Sequence, residues 1–251
     1  MARQRSIIKL DGTIADITFY KTQDGYLAKE KSAISASRIA TAPEFERTRE
    51  NGLEFGHAGA AAKLLRKSVR TLLNKGKDSR VGSRLTRAMM KVVKSDATST
   101  RGQRNVLDGE TEMLQGFDFN IKAPLGSTLF APYAATINRV AGTTDINLAG
   151  FVPADSIAAP DGATHFTIVS AGVEIDFEGG VTVQQTADSG VMPLDNNAVT
   201  GVTMTHNLTP NSTHPIFLLL GVQFFQDVNG IKYSLKNGGY NALGLVKVSG
   251  L

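Results

Sequence analysis

Between residues 117 and 248 the chain is written in short apolar runs, each closed by Gly, Pro, Asn or Asp, and this punctuation constrains the fold more than any other feature. The runs cover 117–121, 135–140, 146–151, 166–169, 173–177, 202–205, 216–225 and 243–248. Short strands at regular intervals with turn signals between them predict an all-β sandwich of about seven to eight strands. Ile216, Phe217, Leu218, Leu219 and Leu220 are apolar at every position, which predicts a central strand buried on both faces. Asn229-Gly230, between Phe225 and Tyr233, reads as a type I′ hairpin turn, because both residues tolerate positive φ.

The first half has a different character. Residues 1–120 hold 22 Lys and Arg against 14 Asp and Glu, whereas residues 121–251 hold 5 against 9. A change of composition and charge at one place predicts two structural units, so we place a β-meander plus basic helical domain at 1–116 and a β-sandwich domain at 117–251. Ile7 to Leu10, the Asp11-Gly12 turn, Thr13 to Thr22, the Asp24-Gly25 turn and Tyr26 to Lys31 predict a three-stranded antiparallel meander. Such a sheet needs a cover. A helical hairpin is the natural candidate. Pro43 suits a helix start, and after an interruption by Gly52, Gly56 and Gly59 the residues Leu65, Val69, Leu72 and Leu73 form one apolar stripe. Leu85, Met89, Val92 and Val93 repeat the stripe beyond Asp78. The fold class expected is therefore α+β. Residues 101–116 carry no pattern that assigns them.

Composition removes several chemistries. With no Cys and no Trp there is no disulfide, thiolate metal site or cysteine nucleophile. No Gly-x-Ser-x-Gly elbow, phosphate loop or dinucleotide fingerprint occurs, so no catalytic residue, cofactor or metal site is assigned, and the chain is not expected to be an enzyme. His206 and His214 fall in what reads as a loop, at a spacing that is not diagnostic of a metal. Glu174, Asp176 and Glu178 alternate along one strand face, which reads as a solvated sheet face. The N-terminus lacks an apolar run of signal-peptide length and no window spans a membrane. Synthesis in the cytoplasm is the expectation, with release as part of a particle needing no signal peptide.

Positive charge is the strongest local signal. Thirteen basic residues lie between Lys63 and Arg104, against Asp78 and Asp96. Lys63, Arg66, Lys67 and Arg70 fall on one side of the first helix, and Arg80, Arg84, Arg87, Lys91 and Lys94 make a ridge along the second. Cations spaced along a rigid helix neutralise phosphates or meet an acidic protein surface. These nine residues are the candidate contacts to nucleic acid or to a partner.

Three stretches, 12–31, 47–52 and 212–225, carry a resemblance: Gly12-Thr13-Ile14 through Tyr26-Leu27-Ala28-Lys29-Glu30-Lys31, Arg47-Thr48-Arg49-Glu50-Asn51-Gly52, and Ser212-Thr213-His214-Pro215 through Gln223-Phe224-Phe225. The chain resembles uncharacterised hypothetical proteins of Bacteroidota. The resemblance implies a bacterial or phage-like origin and no reaction, cofactor or catalytic residue. The function expected is that of a structural, self-assembling protein, a subunit of a homo-oligomeric filament, shell or phage-like particle. The N-terminal strands would pair with a neighbour, and the basic unit of one copy would meet the acidic sandwich of the next. The alternative is a nucleic-acid-binding protein using the basic helical hairpin. A third class, a binding module whose sandwich loops recognise a carbohydrate or protein, has only the polar stretches 195–197 and 207–214 to support it.

Overall fold

Four antiparallel strands open the chain: β1 (Ala2–Arg3), β2 (Gly12–Ile14), β3 (Ile17–Thr22) and β4 (Gly25–Glu30), in the order β1-β4-β3-β2. The computed structural model describes residues 1–31 and 34–250. Its fold is α+β, and the chain divides into two units between Glu50 and Asn51. The meander is present with one strand more than expected, since β1 adds to β4 through only Ala2 and Arg3. The β2–β3 turn is Ala15-Asp16, with Ala15 at φ 50°, while Gly12 opens β2 opposite Phe19. Ile7 to Leu10 form no strand. The expected Asp11-Gly12 hairpin is thus displaced by one short strand.

The helices follow as α1 (Ala36–Thr41), α2 (Glu46–Ser68), α3 (Arg70–Leu73) and α4 (Val81–Ser95). Gly52, Gly56 and Gly59 lie inside α2 and do not interrupt it. The expected stripes of Leu65, Val69, Leu72 and Leu73, and of Leu85, Met89, Val92 and Val93, are all buried. They pack on the large sheet of the C-terminal half, so the boundary expected at Gly116 falls inside the larger unit, residues 51–251.

That unit has three layers. Its central sheet contains β7 (His165–Asp176), β8 (Val181–Asp188), β9 (Met192–Pro193), β11 (Ile216–Val228), β12 (Ile231–Ser234) and β13 (Ala242–Ser249), with β11 between β7 and β13. A second sheet holds β5 (Tyr133–Asn138), β6 (Thr143–Leu148) and β10 (Val202–Asn207), in the order β10-β6-β5. Strand alternation distributes the core. Phe217 and Leu219 of β11, with Val173 and Ala171 of β7, face α2 and α4. Leu218, Leu220, Val222 and Phe224 face Ile146, Leu148 and Met204 of the second sheet. β11 is therefore buried on both sides over most of its length, as its sequence requires. Asn229 and Gly230 both have positive φ, as a type I′ turn demands.

The loop from Asp96 to Asn105, which includes the start of the unassigned stretch 101–116, is ordered by two buried carboxylates. Asp96 Oδ1 accepts hydrogen bonds from the Thr98 and Ser99 amides, each at 2.9 Å, and Oδ2 accepts from the Asn105 amide at 3.1 Å. Glu54 of α2 accepts the Gly102 amide at 2.9 Å. Arg139 performs a similar task at the chain's end. It donates to the carbonyls of Ser212, His214 and Ser249, which ties the β10–β11 loop to the end of β13.

Candidate interaction surfaces

Cross-strand pairs share a face, so the register of the small sheet places Ile14, Ile17, Phe19, Tyr26 and Ala28 on one side, together with Lys21 and Glu30. The opposite side carries Thr13, Thr18, Tyr20, Leu27 and Lys29. The first face is mainly apolar, half-buried at Phe19, Tyr26 and Ala28 and exposed at Ile14 and Ile17. Ile14 and Ile17 are 59% and 46% exposed, and no described residue among 1–50 is buried. A sheet of this size gains independent stability only by burying a face. Tyr26 has the Lys21 ammonium 5.5 Å from its ring centroid, which puts a charge at the rim of the apolar patch.

The nine expected basic contacts separate into groups. Arg66 of α2 and Arg87, Lys91 and Lys94 of α4 line one groove of about 530 Å³, together with Phe55 and Gly82. Lys63 and Lys67 line a different, mainly apolar cavity of about 580 Å³, with Leu64, Val106, Leu107 and Phe177. Arg84 is committed to the fold: its guanidinium pairs with Asp78 and lies 5.0 Å from the Phe117 ring centroid. Arg70 and Arg80 are exposed and line neither the groove nor the cavity. The even ridge along the second helix is thus broken at Arg84, where a carboxylate from the preceding loop competes for the charge. Phe55 escapes sequence reasoning because it lies eight positions before the basic segment. Helix packing brings it alongside Lys94 and Lys91.

Comparison with protein-family models, with curated proteins and with solved structures finds no match. The reading of this chain therefore rests on its own residues.

The carboxylates of β7 are not a solvated face. Glu174 is buried, accepting from the Ser212 hydroxyl at 2.7 Å and the Thr209 amide at 3.1 Å. Asp176 accepts the Glu178 and Gly179 amides in the β7–β8 turn. Both hold backbone in place, so neither is free to receive a basic partner. Among the described residues, no group of three or more His, Cys, Asp or Glu side chains is placed to hold a metal ion. No helix among the described residues is long and apolar enough to cross a membrane.

His206 lies in β10 and not in a loop. It is 0% exposed, clamped between the sheets. Its Nδ1–H donates to the Thr144 carbonyl at 3.1 Å, and its Nε2 accepts the Ser170 hydroxyl at 2.9 Å. A serine, an imidazole and an orienting carbonyl have the spacing of a nucleophile and its base, but Ser170 is also 0% exposed and no substrate reaches it. A Cβ on Gly172 would stand 2.5 Å from Thr144 Oγ1 and 2.9 Å from His206 Cβ, so glycine lets the sheets close over the ring.

Burial lowers the His206 pKa below its ordinary value of 6.5, against the smaller raising effects of the Thr144 and Ser170 hydrogen bonds and of Asp145. The folded protein keeps the ring neutral where the unfolded chain protonates it. Stability is therefore unaffected by this group above pH 6.5 and falls as pH drops below it, until the lower folded value is reached. Urea midpoints at pH 7.5 and 5.5 measure this. The wild-type drop should exceed that of His206→Gln, and equal drops would exclude His206 as its source.

Proposed function

We propose that this protein is a structural subunit that assembles with copies of itself through the apolar face of its N-terminal sheet. The observation that supports the reading is that face itself: Ile14, Ile17, Phe19, Tyr26 and Ala28 aligned on one side of β2, β3 and β4, with Lys21 and Glu30 beside them and nothing fully buried among the described residues of 1–50. Contiguous exposed apolar surface rimmed by polar groups marks an interaction site. A sheet face that meets the same face of a second copy makes a self-complementary contact and closes as a dimer, while an edge-to-edge contact through β1 or β2 continues into an open array. Both geometries suit a shell, filament or particle subunit. The protein then acts by assembly and not by catalysis.

The larger unit supports the same reading in another way. Its buried polar groups are spent on the fold: Ser170 with His206 joins the two sheets, and Glu174 with Ser212 ties β7 to the β10–β11 loop. A rigid three-layer body with an apolar-faced sheet attached is a building block. Light scattering coupled to size exclusion tests this: a mass of at least twice 26.7 kDa supports it, and a monomer at every concentration contradicts it.

A further inference from the structure

We propose that the groove between α2 and α4 binds the phosphate backbone of single-stranded nucleic acid. This goes beyond the assembly reading and does not depend on it, since every residue concerned lies in the larger unit. Four cations converge here from two helices: Arg66 from one side, and Arg87, Lys91 and Lys94 from the other. No acidic side chain lines the groove, and among the described residues none of the four is in an ion pair. Such a concentration of unopposed positive charge is unfavourable unless an anion neutralises it.

The spacing selects a polymer over a single small anion. At 1.5 Å of rise per residue, Arg87, Lys91 and Lys94 follow one another at about 6 Å and about 4.5 Å along α4, wider than the rise of about 3.4 Å per nucleotide in a duplex strand and open to the more extended backbone of a single strand. The Arg66 guanidinium reaches across to the first turn of α4. A Cβ on Gly82 would stand 3.3 Å from Arg66 Nη1, so glycine there leaves the arginine room. That turn carries no acidic residue, and the first amides of a helix have no intrahelical partner, which adds favourable potential at the same end.

The groove also chooses between strand types, through the aromatic group at one end. There Phe55 is 60% exposed, an aromatic face available to an unstacked base. Duplex bases are already stacked on each other and cannot use it.

The test is fluorescence anisotropy of a labelled 20-mer of deoxythymidine with the full-length protein, titrated from 50 to 300 mM salt. A duplex of equal length serves as competitor. Four phosphate contacts give a slope of log affinity on log salt of about −3 for a single strand. Arg87→Ala with Lys91→Ala should make the slope shallower by about 1.4 units, and Phe55→Ala should weaken binding by about tenfold without changing the slope. Lys75→Ala with Lys77→Ala, outside the groove, should change neither quantity. These positions are exposed, so the substitutions leave the core intact. No binding at 50 mM salt, an unchanged slope in the Arg87/Lys91 variant, or equal competition by the duplex each overturns the proposal. Repeating the titration on Ile14→Glu with Ile17→Glu separates this result from that of assembly.

Discussion

Introducing Glu at both Ile14 and Ile17 is expected to return the assembled protein to single chains. Both side chains lie on the apolar face of the N-terminal sheet and are largely exposed within one copy, so their replacement removes no contact from the core of the larger unit. In a self-complementary contact each substitution acts twice. Burying an isoleucine contributes about 1.5–3 kcal/mol, and a carboxylate in its place opposes burial further. Association should weaken by at least about a hundredfold. Circular dichroism and the thermal unfolding of the larger unit should match the wild type. If the variant assembles as well as the wild type does, the apolar face is not the contact.

Asp96→Ala should produce the largest loss of stability from a single side chain outside the apolar core. Asp96 is 1% exposed, and its two oxygens serve the amides of Thr98, Ser99 and Asn105 and the Thr98 hydroxyl. Truncation strands those donors in a loop that has no secondary structure to satisfy them. Each unsatisfied buried donor costs about 1–3 kcal/mol, and water reaching the opened loop recovers part of that, so the expected loss is about 3 kcal/mol. Urea denaturation measures it, and a change below about 0.5 kcal/mol would show that the loop is held by other means. The loop contributes Asn105, Val106 and Leu107 to the cavity beside Lys63 and Lys67, which should lose its shape with it.

The same carboxylate has a pH signature. Burial alone would raise its pKa, but hydrogen bonds from Ser99, Asn105 and Thr98 outweigh burial and hold it well below the ordinary 3.8. A carboxyl depressed in the folded state stabilises fully above the unfolded pKa, and that stability is lost as pH falls below it toward the folded value. Acid should therefore weaken the fold in two stages, the first below pH 6.5 from His206 and the second below about pH 4 from Asp96. Asp96→Ala should keep the first stage and shrink the second to what Asp78 contributes, a carboxyl also held below the ordinary value, against burial, by hydrogen bonds from Ile121, Arg84 and Arg80.

How much of this was legible in the sequence depended on whether the deciding contact is local. The α4 stripe, the doubly apolar β11 and the Asn229-Gly230 turn are stated by neighbouring residues, and each forms as its pattern requires. The partner of the helices is not local information. An apolar stripe specifies that it will be buried and leaves open which sheet buries it, so α2 and α4 were assigned to the meander although they pack on β7, β11 and β13. Three glycines read as a helix break but make none, because the cost of each is small, about 1 kcal/mol, and tertiary packing of Ala58, Ala61, Ala62 and Leu65 overrides it.

The basic residues show the same limit at the level of the candidate site. Helical spacing places them on a side of each helix, but only the fold reveals that Asp78 captures Arg84, that Lys63 and Lys67 turn to another cavity, and that Phe55 joins Lys91 and Lys94. The alternation that sets Glu174 on a solvated face and the loop-like neighbours of His206 are weak signals, and both side chains are buried. The mainly apolar face of the N-terminal sheet was visible only in part. Its apolar residues are in the sequence, but that none of them is fully buried within 1–50 is a property of the folded chain.

The most direct test of the central claim is the light-scattering mass of the wild-type protein beside that of the Ile14→Glu, Ile17→Glu variant, at low and high salt. A contact made by an apolar face predicts a wild-type mass of at least two chains that persists or grows with salt, and a variant at 26.7 kDa in both conditions. A wild-type protein that is itself 26.7 kDa throughout, or a variant with the wild-type mass, would contradict assembly through the N-terminal sheet.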